Sequence, residues 1–291
     1  MQLNQRIEYS SIVDRPRLAL PQDASVIVWP IVVLETWDIT RPMPRQAVPT
    51  PAGHPVPDYA NWSWHEYEMR TGFWRLKSAL ETHGIVPSVS INSTVCESHP
   101  HVASVCRDAG WEFIAHGVTQ RPAHEAVDEA AMIVESIEAI TRFTGRRPRG
   151  WASPGLVQTE ATLDHLTAAG LEYVCDFVLD DQPCEIQTKH GPIVGLPYSV
   201  DFNDVPAIVV QRQTPDEFRR SICDAFDRLY AEASASASAR IITIVLHPYV
   251  CAASHRIRYI EDVILHLNRP GVLFWTGAQI LDWYRSVHPV R

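Results

Sequence analysis

The sequence predicts an α/β fold, a (β/α) barrel of parallel strands with outer helices, on three observations. Short apolar runs rich in β-branched residues alternate with amphipathic segments of helical period along most of the 291 residues, the pattern of a parallel sheet covered by helices. No low-complexity linker divides the chain and no internal repeat is visible. A single domain over 1–291 is therefore expected, with an N-terminal extension over 1–25 and a Pro-rich loop over 41–57. Polar residues gather where the apolar runs end, which in a parallel barrel is where sites are built.

The first strand is expected at 26–34 (VIVWPIVVL), an uninterrupted apolar run ending at Glu35-Thr36-Trp37-Asp38. The Pro-rich stretch 41–57 cannot hold a regular element and reads as a long surface loop of the kind that often covers a site. A helix over 67–82 stops at Gly84 and leads into a strand at 87–92; a helix over 101–109 stops at Gly110 and leads into a strand at 112–116. A long amphipathic helix over 124–143 ends at Thr144-Gly145. The alternation continues through Gly150-Trp151, a helix at 160–169, a strand at 173–176 and a short strand at 193–197. It closes with a helix at 215–232, strand 241–246, helix 257–268, strand 272–275 and helix 277–285. The Ser/Ala tract at 231–239 reads as a helix end or surface loop before the next strand.

Composition narrows the function. With 46% hydrophobic and 20% charged residues the chain is globular, and its net charge of −9 offers no attraction to phosphate backbones or anionic lipid, so neither nucleic acid nor membrane is expected as a partner. Residues 1–20 have neither the basic start nor the apolar run of a signal peptide, and no stretch reaches the ~20 apolar residues of a membrane span. A cytoplasmic location follows as the expectation. The six cysteines are scattered without a C-x-x-C pair, which suits reduced, mostly buried thiols.

Four strand ends carry candidate chemistry: Glu35, His116, the Asp180-Asp181 pair just beyond YVCDF, and His247. Imidazoles and carboxylates there would supply general acids and bases tunable toward neutral pH. Taken singly, each has an ordinary structural alternative, such as a hydrogen-bonded core histidine or a turn cap at Gln182-Pro183. Their joint placement is what points to catalysis.

The order of these motifs resembles that of the polysaccharide deacetylases, from about Glu35 onward. Within that superfamily, WHEYEMRTGFWRL (64–76), GWASPG (150–155), DFVLDDQP (176–183), LPYSVDFND (196–204) and LHPY (246–249) are similar to the metal-independent allantoinases and cyclic imidases. The resemblance implies a distorted (β/α) barrel of about seven parallel strands and a hydrolase of carbon-nitrogen bonds in small cyclic amides, imides or ureides. It also implies self-association into a homo-oligomer. Sugar deacetylases carry adjacent aspartates after the first strand, a base and a metal ligand, where this chain has Glu35 and Thr36. Their two metal-binding histidines become His116 and Gln120 here. A catalytic divalent ion normally keeps three protein ligands, so the resemblance implies no obligatory cofactor. The alternative is zinc on Glu35 and His116 with a neighbour such as Asp38 or His124.

On this reading Glu35 is the base, His116 orients it or the water, and His247 is the acid, held in its tautomer by Asp180 or Asp181. Tyr67, Arg70 and Trp74 share one helical face by spacing and, with Trp151, Tyr198, Asn203 and Asp204, read as substrate contacts. GWASPG and the run 251–256 depart from the allantoinase pattern and leave the substrate open. Two rival functions are a metal-dependent deacetylase of an N-acetylated sugar or acylamide, and a non-catalytic small-molecule binding barrel.

Overall fold

The computed structural model describes residues 5–49 and 57–288; the remainder of the Pro-rich loop expectation, 50–56, lies outside the described residues. Among the described residues nine strands form one curled sheet: β1 (Val26–Leu34), β2 (Ser88–Ile91), β3 (Glu112–Ala115), β4 (Gly150–Trp151), β5 (Tyr173–Val174), β6 (Cys184–Ile186), β7 (Ile193–Gly195), β8 (Arg240–Leu246) and β9 (Val272–Phe274). Their order is β6-β7-β5-β4-β3-β2-β1-β8, with β9 added on β1. Every pairing is parallel except β6 with β7. The expected distorted (β/α) barrel with outer helices is observed, as a curled and largely parallel sheet, and the antiparallel β6 is the strand that sequence reading missed.

The barrel closes along an irregular seam. Val245 N donates to Phe202 O (2.9 Å), Ile241 N to Asp181 O (3.0 Å) and Thr243 Oγ1 to Pro197 O (2.6 Å). Loop backbone thereby satisfies the free edge of β8, as an edge strand requires. The N-terminal extension straps the other side of this region through Gln187 N to Arg6 O (2.7 Å) and the buried Arg6–Asp164 ion pair.

β1 is buried on both faces, as expected for a central parallel strand. It tolerates Pro30 because of its neighbours. Val28 O accepts from Trp275 N and Leu34 O from Asn92 N, so even-numbered residues present their backbone to the β9/β2 edge. β9 ends at Val28 and β2 begins at Ile31 on that edge. The missing N–H of proline therefore falls in the gap between two partners, where no ladder bond is lost.

The same period of two sorts the core. Val26, Val28, Val32 and Leu34 pack outward against the helices, whereas Ile27, Trp29, Ile31 and Val33 pack into the barrel interior. β8 repeats this with Ile242, Ile244 and Leu246 outside and Ile241 and Val245 inside. Continuing each phase past the strand end turns Glu35 and His247 inward. His116 follows the inward Ile114 of β3 in the same way.

Helix boundaries differ from expectation in two places. The helix expected at 67–82 begins earlier, at Tyr59, where Asp58 caps it by accepting from Asn61 N (3.1 Å). It is also interrupted by a π segment, Glu68–Gly72, before resuming at Phe73–Thr82. The helix expected at 124–143 starts at Glu129 because Asp128 caps it through Ala131 N (3.0 Å), and it ends on the left-handed Gly145. The Ser/Ala tract continues the helix Pro215–Ser236 and turns at Ala237. Among the described residues no helix is long and apolar enough to cross a membrane.

Candidate active site

The inward-facing strand ends meet around one cavity of about 40 Å³, lined by Glu35, Arg45, Ser90, His116, Gln120, Tyr198, Asn203 and His247 among others. Such a volume holds a water or two, so a ring-sized ligand enters only when side chains at the mouth shift. One wall is Leu156, held at a positive φ of 58° that branched and bulky residues seldom adopt.

Glu35 is fully enclosed. Its Oε2 accepts from Trp37 Nε1 (2.8 Å) and Arg45 Nη1 (2.5 Å), while its Oε1 stands 3.6 Å from His247 Nε2, just beyond hydrogen-bond length. Burial opposes ionisation, but the charges of Arg45 and His247 outweigh it and hold the carboxyl well below the usual range. His247 is fixed at two points by Asp204, which accepts from its backbone N–H (2.8 Å) and its Nδ1–H (2.7 Å). Burial pulls that imidazole down, yet Asp204 and Glu35 together leave it raised above its ordinary value. Both shifts thus favour the charged forms, an anionic Glu35 beside a cationic His247.

His116 differs from His247. Its Nδ1 lies 2.6 Å from Ala152 O, a carbonyl that can only accept, so Nδ1 carries the proton and Nε2 keeps a bare lone pair. Burial lowers its pKa to about 4, so it is neutral at pH 7. Four buried atoms around this cavity have no protein partner: Glu35 Oε1, Ser90 Oγ, His116 Nε2 and Gln120 Oε1. Buried polar atoms are ordinarily paired, and four of them on one cavity mark it as a place for a polar ligand.

Beneath Glu35 lies a second acid–imidazole pair. Glu68, on the π segment, accepts from the backbone N–H of Glu35 (3.0 Å), and His65 Nε2 is 3.7 Å from the same Glu68 oxygen. Burial and the nearby charge of Glu35 push Glu68 well above the carboxylate range, and burial lowers His65 to about 3. Both are neutral. The π segment also brings the helix against the turn after His247: a Cβ on Gly72 would stand 2.3 Å from Pro248 O.

Several expectations are corrected. Asp180 and Asp181 do not reach His247, whose partner is Asp204. Asp180 pairs with Arg15 (2.5 Å) and caps the turn at Gln182 N (3.0 Å), and the Asp181 backbone joins β8 at the seam. Asp204 is therefore an imidazole partner and not a free substrate contact. The π segment shifts the helical phase, so Tyr67, Arg70 and Trp74 do not converge on the cavity. The Tyr67 hydroxyl accepts from Arg75 (2.6 Å), Arg70 is exposed, and Trp74 packs on Phe73 and His101. Trp151 is core, its Nε1 donating to Ser153 Oγ (2.9 Å). Tyr198 and Asn203 do line the cavity, with Asn203 Nδ2 donating to the Tyr198 hydroxyl (2.8 Å). Arg45 was missed, because nothing in a Pro-rich stretch singles out one arginine; Ser90, His65 and Glu68 were missed because each reads as an ordinary strand or helix residue.

The donor set suits a divalent ion poorly. Thr36 Oγ1 is bonded to Thr94 Oγ1 (2.6 Å), and Gln120 offers an amide. The Glu35 carboxylate is already engaged by a guanidinium, and both Asp38 and His124 are exposed. Among the described residues no group of three or more His, Cys, Asp or Glu side chains could hold a metal.

Comparison with known proteins agrees with the superfamily resemblance. Residues 65–174 match the family model for polysaccharide deacetylase. A Schizosaccharomyces pombe protein whose name places it among the polysaccharide deacetylases is 24% identical over 260 residues, covering 81% of this chain and 80% of that protein. A Helicobacter pylori peptidoglycan deacetylase is 23% identical over 218 residues, covering 62% of this chain and 73% of its own. In structure, the fold is similar to a PuuE allantoinase at a TM-score of 0.85, with 22% identity and 96% of each chain covered.

Proposed function

From a chain that carries the polysaccharide deacetylase match on a barrel shared with an allantoinase, we propose a hydrolase that opens the carbon-nitrogen bond of a small cyclic amide, imide or ureide. One observation carries this reading: Glu35 and His247 stand 3.6 Å apart on one cavity where Glu35, Ser90, His116 and Gln120 each leave a buried polar atom without a partner, and their surroundings favour the ionised carboxylate and the protonated imidazole. A base without its proton and an acid with its proton, side by side, are what hydrolysis of an amide needs.

In the proposed reaction Glu35 takes a proton from water as the oxygen attacks the carbonyl carbon. The carbonyl π electrons move to oxygen, and when the tetrahedral centre collapses the C–N bond breaks with His247 protonating the nitrogen. Asp204 keeps Nδ1–H in place so that Nε2 faces the substrate. His116, neutral and with its Nε2 lone pair directed by the Ala152 bond, accepts an O–H from water or an N–H from the ring and so orients it. Tyr198 and Asn203 are the remaining contacts from the expected substrate set.

No divalent ion is required in this reading, since the donor set described above suits none. A strained or activated ring also demands less stabilisation of the transition state than a plain acetamide. The rival reading, a metal-dependent deacetylase of an N-acetylated sugar, draws support from the names of the relatives. The partner is a small molecule on either reading; a homo-oligomer in the cytoplasm is part of the proposal.

An activity screen over cyclic ureides, imides, lactams and acetylated sugars, with and without zinc, tests it. Ring opening that is indifferent to chelator is expected. Activity confined to acetylated sugars and abolished by chelator contradicts it.

A further inference from the structure

The cavity holds a positive charge that comes from a loop of this chain. Arg45 reaches the cavity from the Pro-rich stretch, and its side chain is only 16% exposed. Nη1 donates to Glu35 Oε2 (2.5 Å) and to the Tyr249 hydroxyl (2.8 Å), and the guanidinium carbon lies 5.8 Å from the centre of the Trp37 ring. The loop itself is pinned behind it, with Ala47 N and Val48 N both donating to Asn61 Oδ1 (2.8 and 2.9 Å) and Asn61 Nδ2 donating to Val48 O (2.9 Å). Asn61 is in turn buried and bonded to Asp58 (2.8 Å). A loop arginine held at so many points is preorganised.

We propose that Arg45 is a catalytic residue that stabilises the oxyanion of the tetrahedral intermediate, in the role a bound divalent ion plays in a metal-dependent deacetylase. The proposal rests on the hydrolase reading above. Its logic is a transfer of charge. In the resting site Arg45 faces the Glu35 carboxylate. When Glu35 takes the proton from water, the charge opposite Arg45 is neutralised at the moment a new negative charge appears on the carbonyl oxygen. Total charge is conserved, and the guanidinium, which lines the same cavity, loses its anionic partner as the new anion forms there. An interaction that gains strength in the transition state lowers the barrier, whereas one of constant strength does not. A guanidinium remains charged at any accessible pH, so this contribution does not titrate away.

The test uses Arg45→Gln and Arg45→Lys in the full chain. Arg45→Gln is expected to lower kcat roughly a hundredfold, the loss typical of one oxyanion donor, with KM changed only a few-fold. Arg45→Lys recovers part of the loss, and added methylguanidine restores part of the Arg45→Gln activity while zinc does not. A second readout needs no turnover. Calorimetric binding of the barbiturate anion, a planar ring with delocalised negative charge on oxygen, is expected to weaken about tenfold or more in Arg45→Gln. Binding of neutral succinimide should hold, which also shows that the variant is folded. Equal barbiturate binding by both proteins, binding by neither, or an unchanged kcat overturns the proposal. Wild-type protein that binds these rings but opens none overturns the hydrolase reading instead, and the barbiturate comparison then still decides whether Arg45 presents its charge to a ligand.

Discussion

Two buried acid–imidazole pairs sit one behind the other in this barrel, and their contrast explains the site. Glu35 and His247 approach to 3.6 Å, Glu68 and His65 to 3.7 Å, and all four side chains are buried. The surroundings favour the charged forms of the front pair and the neutral forms of the rear pair. Residue type, distance and burial are nearly the same, so the difference lies in what surrounds them. Arg45 stands on Glu35 and Asp204 on His247, whereas Glu68 faces the like charge of Glu35, which its backbone N–H bond and the more distant Arg45 offset only in part. A buried ion survives when a third and fourth charge compensate its lost hydration, and otherwise the group takes its neutral form. The front pair can therefore move protons and the rear pair holds the front one in place.

Breaking the front pair has the largest expected effect. Glu35→Gln is expected to reduce turnover roughly a hundredfold or more with binding largely kept, and kcat and KM measured on the best ring from the screen check it. His247→Ala should act on turnover to a similar extent. Removing the compensating charge comes next. Asp204→Asn lowers the His247 pKa, so the alkaline limb of kcat/KM, set by loss of the His247 proton, moves to lower pH. The full pH–rate profiles of the two proteins show whether it does.

The rear pair responds more weakly. Glu68→Gln keeps a neutral acceptor for the Glu35 N–H and should leave stability nearly unchanged, while Glu68→Ala strands that N–H and costs about 1–3 kcal/mol, as urea unfolding would report. His65→Phe preserves the stacking on Trp37 seen at 4.3 Å and removes two unpartnered nitrogens. Its signature is in pH dependence. His65 is lowered to about 3 in the folded protein, so between its unfolded value near 6.5 and 3 the unfolded chain binds more protons and stability falls as pH falls. His65→Phe should flatten that decline, with the part due to His116, lowered to about 4, remaining. His247 has the opposite sign: its raised value contributes stability that is full below about 6.5 and is lost as pH rises through the folded value.

Much of this was legible from residue order because strands have a period of two. An apolar strand buried on both faces still separates an inside from an outside, and counting on from Ile31 and Val33 puts Glu35 in the interior, as counting from Val245 does for His247. The orienting carboxylate was not legible that way. Asp180 and Asp181 come soon after β5 but follow the chain to the seam, where Arg15 and the β8 edge take them. Asp204 lies at the end of a loop with no periodic signal, and it meets His247 because the barrel closes there, with Asn203 bridging to Val245. The π segment defeated the helical spacing of Tyr67, Arg70 and Trp74 by inserting itself between them. Arg45 depends on a loop tied down by Asn61, a contact without local pattern.

The opposite charges of the front pair are open to direct measurement by the side-chain nitrogen-15 shifts of His247 at pH 7, assigned by their loss in His247→Gln. Both ring nitrogens should carry protons, as in an imidazolium. A bare Nε2 at that pH would mean that the acid is unloaded, and the proton path described here could not start.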